Sequence, residues 1–187
     1  MACFFGALVS YAVVKGRSID LKQFNFRIEE EKKKRINALL MDALFRVTCS
    51  KRKVGAVLEL KNGIFVQGWN GPPKGMEEYC TVCPRGEVRS GEAMDLCPAV
   101  HGEMRALLRA LGNDTRGSTL YLTCGLPCKD CMTELAECGI SKIVSPYPLT
   151  LYPACGYHNF PLADKIRLAS GIEYIYDEEI VKDSTSH

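Results

Sequence analysis

The sequence predicts a three-layer α/β/α domain built on a five-stranded mixed sheet. Three observations predict it. The elements run in the order helix, hairpin, then strands alternating with helices. A helix stands between the last two strands and is long enough for a parallel crossover. The chain has 187 residues, 47% of them apolar, which is enough to bury one core without a disulfide scaffold.

Residues 27–47 read as the first helix. Glu29, Glu30 and Glu31 precede Lys33, Lys34 and Arg35 in the favourable i,i+4 orientation. Ile36, Leu39, Leu40, Ala43, Leu44 and Val47 then form one apolar face. The charge run is therefore a solvated helix surface, not a nucleic-acid patch. Residues 53–59 and 64–69 read as two strands turned at Lys61-Asn62-Gly63, a hairpin signal. Residues 70–98 form a loop rich in Gly, Pro and Cys. A loop of that length inside a compact domain is functional or stapled by something. A second helix starts at Ala99 or His101 and runs to Leu111, with Gly112 as its stop. Residues 119–123 are a strand, 128–138 a helix ended by Gly139, and 142–145 a strand. Residues 161–169 are a helix stopped near Gly171, and 172–176 are the last strand. The expected domain spans residues 27–182, with an N-terminal extension at 1–26 and a polar, flexible tail at 183–187.

Composition excludes several classes. An ordinary apolar fraction and a net charge of +2 exclude a disordered chain. The same balance gives no strong footprint for duplex nucleic acid, which usually shows as a clustered basic surface. Residues 4–14 are mostly apolar but too short for a membrane span, which needs ~20 residues. No basic residue precedes them, and Lys15 and Arg17 follow where a signal peptide would place small residues. The segment is expected to pack on the domain or on a neighbouring subunit, and the protein to be cytoplasmic. Ten cysteines is the outlying number. Without a secretion signal, cysteines grouped as Cys-x-x-Cys point to metal rather than disulfides.

Two short motifs carry the chemistry, each at the start of a predicted helix. They are His101-Gly102-Glu103 and Pro127-Cys128-Lys129-Asp130-Cys131. Together they supply an imidazole, two thiolates and a carboxylate. Three protein ligands, His101, Cys128 and Cys131, leave the fourth tetrahedral position of a Zn²⁺ ion open for water. Helix N-termini favour the thiolate form. Zinc lowers the pKa of bound water from ~15.7 towards ~7. Glu103, two residues past His101, can accept the water proton and pass it to a ring nitrogen and a departing amine. His-x-Glu with Pro-Cys-x-x-Cys is a signature of zinc-dependent base deaminases. The alternatives are a closed zinc site with a fourth cysteine such as Cys124, and a redox pair, which leaves His101 without a role.

On these motifs the chain resembles the cytidine deaminase-like superfamily, and within it the deoxycytidylate (dCMP) deaminase family. The likeness covers roughly residues 36–175. Its further markers are Cys49-Ser50-Lys51-Arg52-Lys53-Val54-Gly55-Ala56-Val57, Gly68-Trp69-Asn70-Gly71 and Cys138-Gly139-Ile140. The resemblance implies the cytidine deaminase-like fold, a catalytic zinc on His101, Cys128 and Cys131, and a proton-shuttling Glu103. It implies hydrolytic deamination of a cytosine nucleotide, dCMP to dUMP plus ammonia, by hydroxide on zinc attacking C4. It makes Asn70 a substrate-binding candidate and Arg52, ahead of Lys51, the phosphate candidate. The family usually reads His-Ala-Glu-x-Asn-Ala, where this chain reads His101-Gly102-Glu103-Met104-Arg105-Ala106. Gly102 removes a methyl group at the pocket and loosens the backbone. Arg105 replaces an amide with a fixed cation, which either clamps an anionic group on the substrate or points outward. The resemblance also implies a small-molecule nucleotide substrate, a homo-oligomer (dimer or hexamer) and, in some members, a deoxynucleoside triphosphate effector.

Cys80 and Cys83 form a Cys-x-x-Cys pair in the long loop, with Cys97 at its end and Cys49 before the first strand. Four such thiols suit a closed structural zinc that pins the loop, and some dCMP deaminases are similar in this; unliganded thiols are the bland alternative. Cys3, Cys124, Cys138 and Cys155 are expected to be small buried hydrophobes. His158 is expected to be structural, or to line the mouth of the pocket. Two other functions remain open at this point. One is deamination of another amino-heterocycle: a modified cytosine nucleotide, a nucleoside, a free base, or adenosine in RNA, for which a basic surface is expected. The other is a catalytically silent, zinc-stabilised binding module, which has no need of Glu103.

Overall fold

A computed structural model describes residues 11–14, 17–89, 91–149 and 158–182. The chain divides into two compact units, residues 1–35 and 36–187, and the division falls inside the first helix. In the first unit, strand β1 (Tyr11–Val14) pairs antiparallel with β2 (Arg17–Asp20). Helix α1 (Leu21–Phe45) follows without a break. It starts six residues before the expected residue 27; Asp20 immediately precedes it and Leu21, Phe24 and Ile28 have i, i+3, i+7 spacing, start signals that the charge run at 29–35 overshadows in the sequence. The charge run at residues 29–35 faces solvent or is half-exposed, with Lys34 and Glu31 paired at 2.8 Å. Of the apolar segment 4–14, only β1 is described; residues 4–10 and the tail 183–187 lie outside the described residues.

The second unit holds the mixed five-stranded sheet. Its strands are β3 (Gly55–Glu59), β4 (Phe65–Trp69), β5 (Thr119–Leu122), β6 (Lys142–Ser145) and β7 (Glu173–Tyr176), in the order β4-β3-β5-β6-β7. The hairpin β3–β4 and the pair β3–β5 are antiparallel, while β5–β6 and β6–β7 are parallel. Helices α2 (Gly102–Arg109), α3 (Lys129–Glu137) and α4 (Phe160–Ala169) connect the later strands.

Side-chain alternation along the strands sorts the core into two faces. Ala56, Leu58, Leu120, Leu122 and Ile143 pack with Ala106 and Leu107 of α2, Met132 and Leu135 of α3 and Ala163 of α4. Val57 and Val144 point the other way, onto Ile36 and Leu40 of α1 and onto Ile180. Three helices therefore cover one face, and within this unit the C-terminal turns of α1 cover the other.

The long loop is organised by its own backbone and one arginine. Gly71 and Val100 exchange both main-chain hydrogen bonds, at 3.2 and 2.9 Å, and so close its neck. Two short 3₁₀ turns follow at Glu78–Cys80 and Met94–Leu96. The buried Arg85 donates to the carbonyls of Glu92 (2.9 Å) and Arg89 (3.0 Å), which draws those two residues onto its guanidinium. No helix among the described residues is long and apolar enough to cross a membrane.

Candidate metal and catalytic site

Helix α2 runs against β4 and β3, and α3 begins just after β5. Their N-termini are the two places where the chain leaves the sheet carrying a reactive side chain. His101 is the N-cap of α2 and Cys128 the N-cap of α3, both with extended backbone. An N-cap side chain ordinarily accepts a hydrogen bond from the first turn. Neither residue makes one. Both side chains turn instead towards each other. His101 Nδ1 lies 3.5 Å from Cys128 Sγ and 3.3 Å from Cys131 Sγ, which comes from the first turn of α3. All three ligand atoms lie within 4.8 Å of one another, and among the described residues no other group of three does so.

These spacings fit zinc. Zn–N near 2.05 Å and Zn–S near 2.3 Å at tetrahedral angles place N and S about 3.5 Å apart. The donor set, one imidazole and two thiols, is that of a catalytic zinc with one open position.

The ionisable groups of the site act strongly on one another. The Cys128 thiol is held well below the usual thiol range. The Cys131 thiol donates to it first, and His101 and His158 add hydrogen bonds, while burial opposes. The Cys131 thiol is pushed up, first by the same hydrogen bond and then by burial. His101 is raised to about 9, chiefly by its hydrogen bond with Cys128 and further by the Glu103 charge, against burial and the Arg52 cation. Glu103, second residue of α2 and only 5% exposed, has its carboxyl pushed up by burial, with the Cys128 charge adding and His101 and Arg52 opposing.

The structure thus gathers His101, Glu103, Cys128 and Cys131, with the Arg52 charge near enough to act on two of them. Asn70, at the end of β4, is buried. Its Oδ1 accepts from Val54 N at 2.8 Å and its Nδ2 donates to the Arg52 carbonyl, so its side chain splices β4 to the segment that carries Arg52. Lys51 donates to the Val88 carbonyl of the long loop. Arg105 donates to three main-chain carbonyls: Trp69 at 2.8 Å, Gly71 at 2.9 Å and Pro72 at 3.0 Å. Its guanidinium braces the turn that presents Asn70. A methyl group on Gly102 would meet Val54 O at 3.1 Å and Trp69 Cα at 3.5 Å, so that position faces the ends of β3 and β4.

A cavity of about 350 Å³ opens beside His101 and Cys131, walled by Met94, Met104, Leu108, Asp130 and Glu134. Glu103, Asn70 and Arg52 do not line it.

Cys49, Cys80, Cys83 and Cys97 are half-buried free thiols. Burial raises the Cys80 thiol, and the charges of Cys97, Cys49 and Cys83 raise it further. The four share one neighbourhood, in a looser arrangement than the His101 group. Two features lay beyond the sequence reading. His158 lies near enough to Cys128 to help hold its thiol down. Trp69 is ringed by the guanidinium groups of Arg46, Arg105 and Arg109 at 5.4, 5.6 and 4.8 Å; the i,i+4 spacing of Arg105 and Arg109 is the one signal in the sequence for this.

A mixed sheet that offers a histidine and two cysteines from paired helix N-termini, with a carboxyl buried beside them, defines a zinc-centre protein of the deaminase type. Comparison with known proteins narrows this. Residues 29–146 match the family described as the cytidine and deoxycytidylate deaminase zinc-binding region, and the chain belongs to that family. A deoxycytidylate deaminase of Mycobacterium phage D29 is 36% identical over 108 residues, covering 54% of this chain and 83% of that relative. A deoxycytidylate deaminase of Schizosaccharomyces pombe is 36% identical over 104 residues, covering 53% of this chain. The matched region spans about a third of the length of that second relative (32%). The crystal structure of dCMP deaminase from the cyanophage S-TIM5 shares the fold, with a TM-score of 0.54 at 22% identity over 79% of this chain and 98% of that one.

Proposed function

We propose that the chain is a zinc-dependent hydrolase that deaminates a cytosine nucleotide, most simply dCMP to dUMP and ammonia. The observation that carries this reading is the convergence of His101, Cys128 and Cys131 beside the buried carboxyl of Glu103. The relatives from phage D29 and S. pombe, both deoxycytidylate deaminases, support the choice of nucleotide. Zinc bound by the three side chains would supply a Lewis acid that makes water nucleophilic at neutral pH. Glu103 takes a proton from that water, delivers it to N3 of the cytosine ring, and returns a proton to the departing amine. The balance is one water in and one ammonia out, with the water oxygen left on C4. A carboxyl raised by burial suits a group that must hold a proton between those stages. Incubation with dCMP tests the reading: dUMP and ammonia should appear in equal amounts, and dCMP left intact by zinc-loaded protein would refute it.

Arg52 is proposed to hold the substrate phosphate, on the support of its charge beside His101 and Glu103. Arg52→Ala should raise KM for nucleotides ~10–100-fold, the range of a charge-assisted hydrogen bond, and leave KM for nucleosides unchanged. An equal change for both, in steady-state kinetics, rejects the role. Asn70 is proposed to contact the nucleoside, with Arg105 and Gly102 shaping the turn and helix start around it. The domain is proposed to cover residues 27–182, in a homo-oligomer (dimer or hexamer) of the cytoplasm that takes a deoxynucleoside triphosphate effector.

A second, structural zinc on Cys49, Cys80, Cys83 and Cys97 is proposed to pin the long loop. Its support is the shared neighbourhood of the four thiols. Cys83→Ser should lower metal content by one zinc per chain and lower the thermal midpoint. Unchanged metal content by atomic emission would dismiss the second site.

A further inference from the structure

Arg105 stands one helical turn past His101, on the helix that carries both His101 and Glu103. Its Nε donates to the Trp69 carbonyl at 2.8 Å, and its Nη2 donates to the carbonyls of Gly71 and Pro72 at 2.9 and 3.0 Å. These carbonyls flank Asn70 on both sides. The Gly71 carbonyl is shared, since it also accepts from Val100 N at 2.9 Å, and Val100 directly precedes His101. One guanidinium therefore ties together the end of β4, the neck of the long loop and the approach to a metal ligand. The turn has no slack on its other side, where a Cβ on Gly71 would collide with the Thr48 hydroxyl. From Asn70 the contacts run on through its amide, which accepts from Val54 N at 2.8 Å and donates to the Arg52 carbonyl. They return to α2 at Gly102, where a methyl group would meet Val54 O at 3.1 Å and Trp69 Cα at 3.5 Å. The turn at Asn70, residues 52–54 and the start of α2 form a closed ring of contacts, and Arg105 closes it.

Everything Arg105 binds is neutral. Its partners are three carbonyls and the Trp69 ring, 5.6 Å from its guanidinium carbon. Among the described residues no carboxylate pairs with it. A planar fork of N–H groups reaches several carbonyls at once, which a single point charge does not. We propose that Arg105 is a positioning residue for the reaction: the geometry of its donors fixes the Asn70 turn against the helix that carries His101 and Glu103, and its charge takes no part in holding the substrate anion. This rests on the reading of Asn70 as a contact to the nucleoside. A displacement of ~1 Å between a binding group and the reacting centre costs up to ~100-fold in rate.

Steady-state kinetics with dCMP on the zinc-loaded full chain test it. Zinc content and thermal midpoint are read on each preparation, so that rates refer to folded, metal-bearing protein. Arg105→Met removes the donors and keeps the apolar stem. It should raise KM ~10–100-fold, with kcat and zinc content close to wild type, because the turn binds substrate while the metal donors stay in place. Arg105→Lys should lose almost as much, since an ammonium does not span the three carbonyls. Asn70→Ser should raise KM as well, and joined to Arg105→Met it should add nothing beyond the worse of the two, as expected of residues that act as one unit. KM should climb with ionic strength along the same slope in Arg105→Met and wild type, because only a charge that holds the substrate anion would carry part of that salt dependence. Wild-type KM in Arg105→Met, full recovery in Arg105→Lys, additive losses in the double variant or a flatter salt slope would each overturn the proposal. Should Arg105→Met or the double variant fail to fold, Arg105→Lys decides alone. An unchanged KM in Asn70→Ser would overturn the reading of Asn70, and this proposal with it. Wild-type protein that holds zinc and leaves dCMP intact would overturn the reaction itself, a failure distinct from that of Arg105.

Discussion

Glu103→Ala is expected to cut ammonia release by ~100–10,000-fold, the usual contribution of one general acid–base group, while zinc content stays at the wild-type level. The carboxyl is 5% exposed and sits two residues from His101, so nothing else in the described site replaces it. It is not one of the three side chains whose ligand atoms converge, so removing it leaves the metal donors in place. Metal analysis and a steady-state assay on the same preparation check both halves. Retained turnover would remove Glu103 from the chemistry. Lost zinc would make it a ligand rather than a proton carrier.

The second large effect is expected at a residue that is not itself a metal ligand. A Cβ on Gly68 would lie 2.0 Å from the carbonyl oxygen of Gly102, 2.5 Å from the nitrogen of Ala106 and 3.0 Å from its Cα. All three are backbone atoms, so no side chain can rotate aside. Helix α2 rests directly on β4 at this point, and α2 is what carries His101 and Glu103. Gly68→Ala must therefore lift the helix or bend the strand. Overpacking costs ~1–3 kcal/mol and occasionally more, and with backbone on both sides about 3 kcal/mol is expected in urea unfolding. Because the lifted helix carries His101, zinc affinity should fall as well. Wild-type stability in this variant would mean that α2 does not press on β4.

The core of the site was legible in the sequence because its chemistry depends on spacing. His101-x-Glu103 and Cys128-x-x-Cys131 stand at helix starts, and a helix start fixes where such side chains point. The sheet was legible for a similar reason: each strand is bounded by a turn signal or a helix stop, and Gly112, Gly139 and Gly171 mark three of those ends, each with positive φ. What could not be read was anything set by approach between distant segments. Asn70 and Arg105 read as substrate-contact candidates, and the hydrogen bonds by which both also hold the backbone of the segments that meet at the end of β4 have no local signal. Arg85 draws the carbonyls of Arg89 and Glu92 onto its guanidinium, a loop contact that the cysteine spacing gives no hint of. The nearness of His158 to Cys128 brings together residues 30 positions apart across a helix and a strand, which no local pattern encodes. The early start of α1 was legible in Asp20 and in the i, i+3, i+7 spacing of Leu21, Phe24 and Ile28, but the charge run at residues 29–35 is the stronger signal.

The most direct test is ammonia release by zinc-loaded protein from dCMP, CMP, dCTP, deoxycytidine, cytosine, guanine and adenosine, with Glu103→Ala as the blank. Turnover of dCMP well above the blank and above every other compound is the expected result. Silence across the whole panel from protein that holds zinc, or equal release by the Glu103→Ala blank, would contradict the assignment of a zinc-dependent cytosine-nucleotide deaminase.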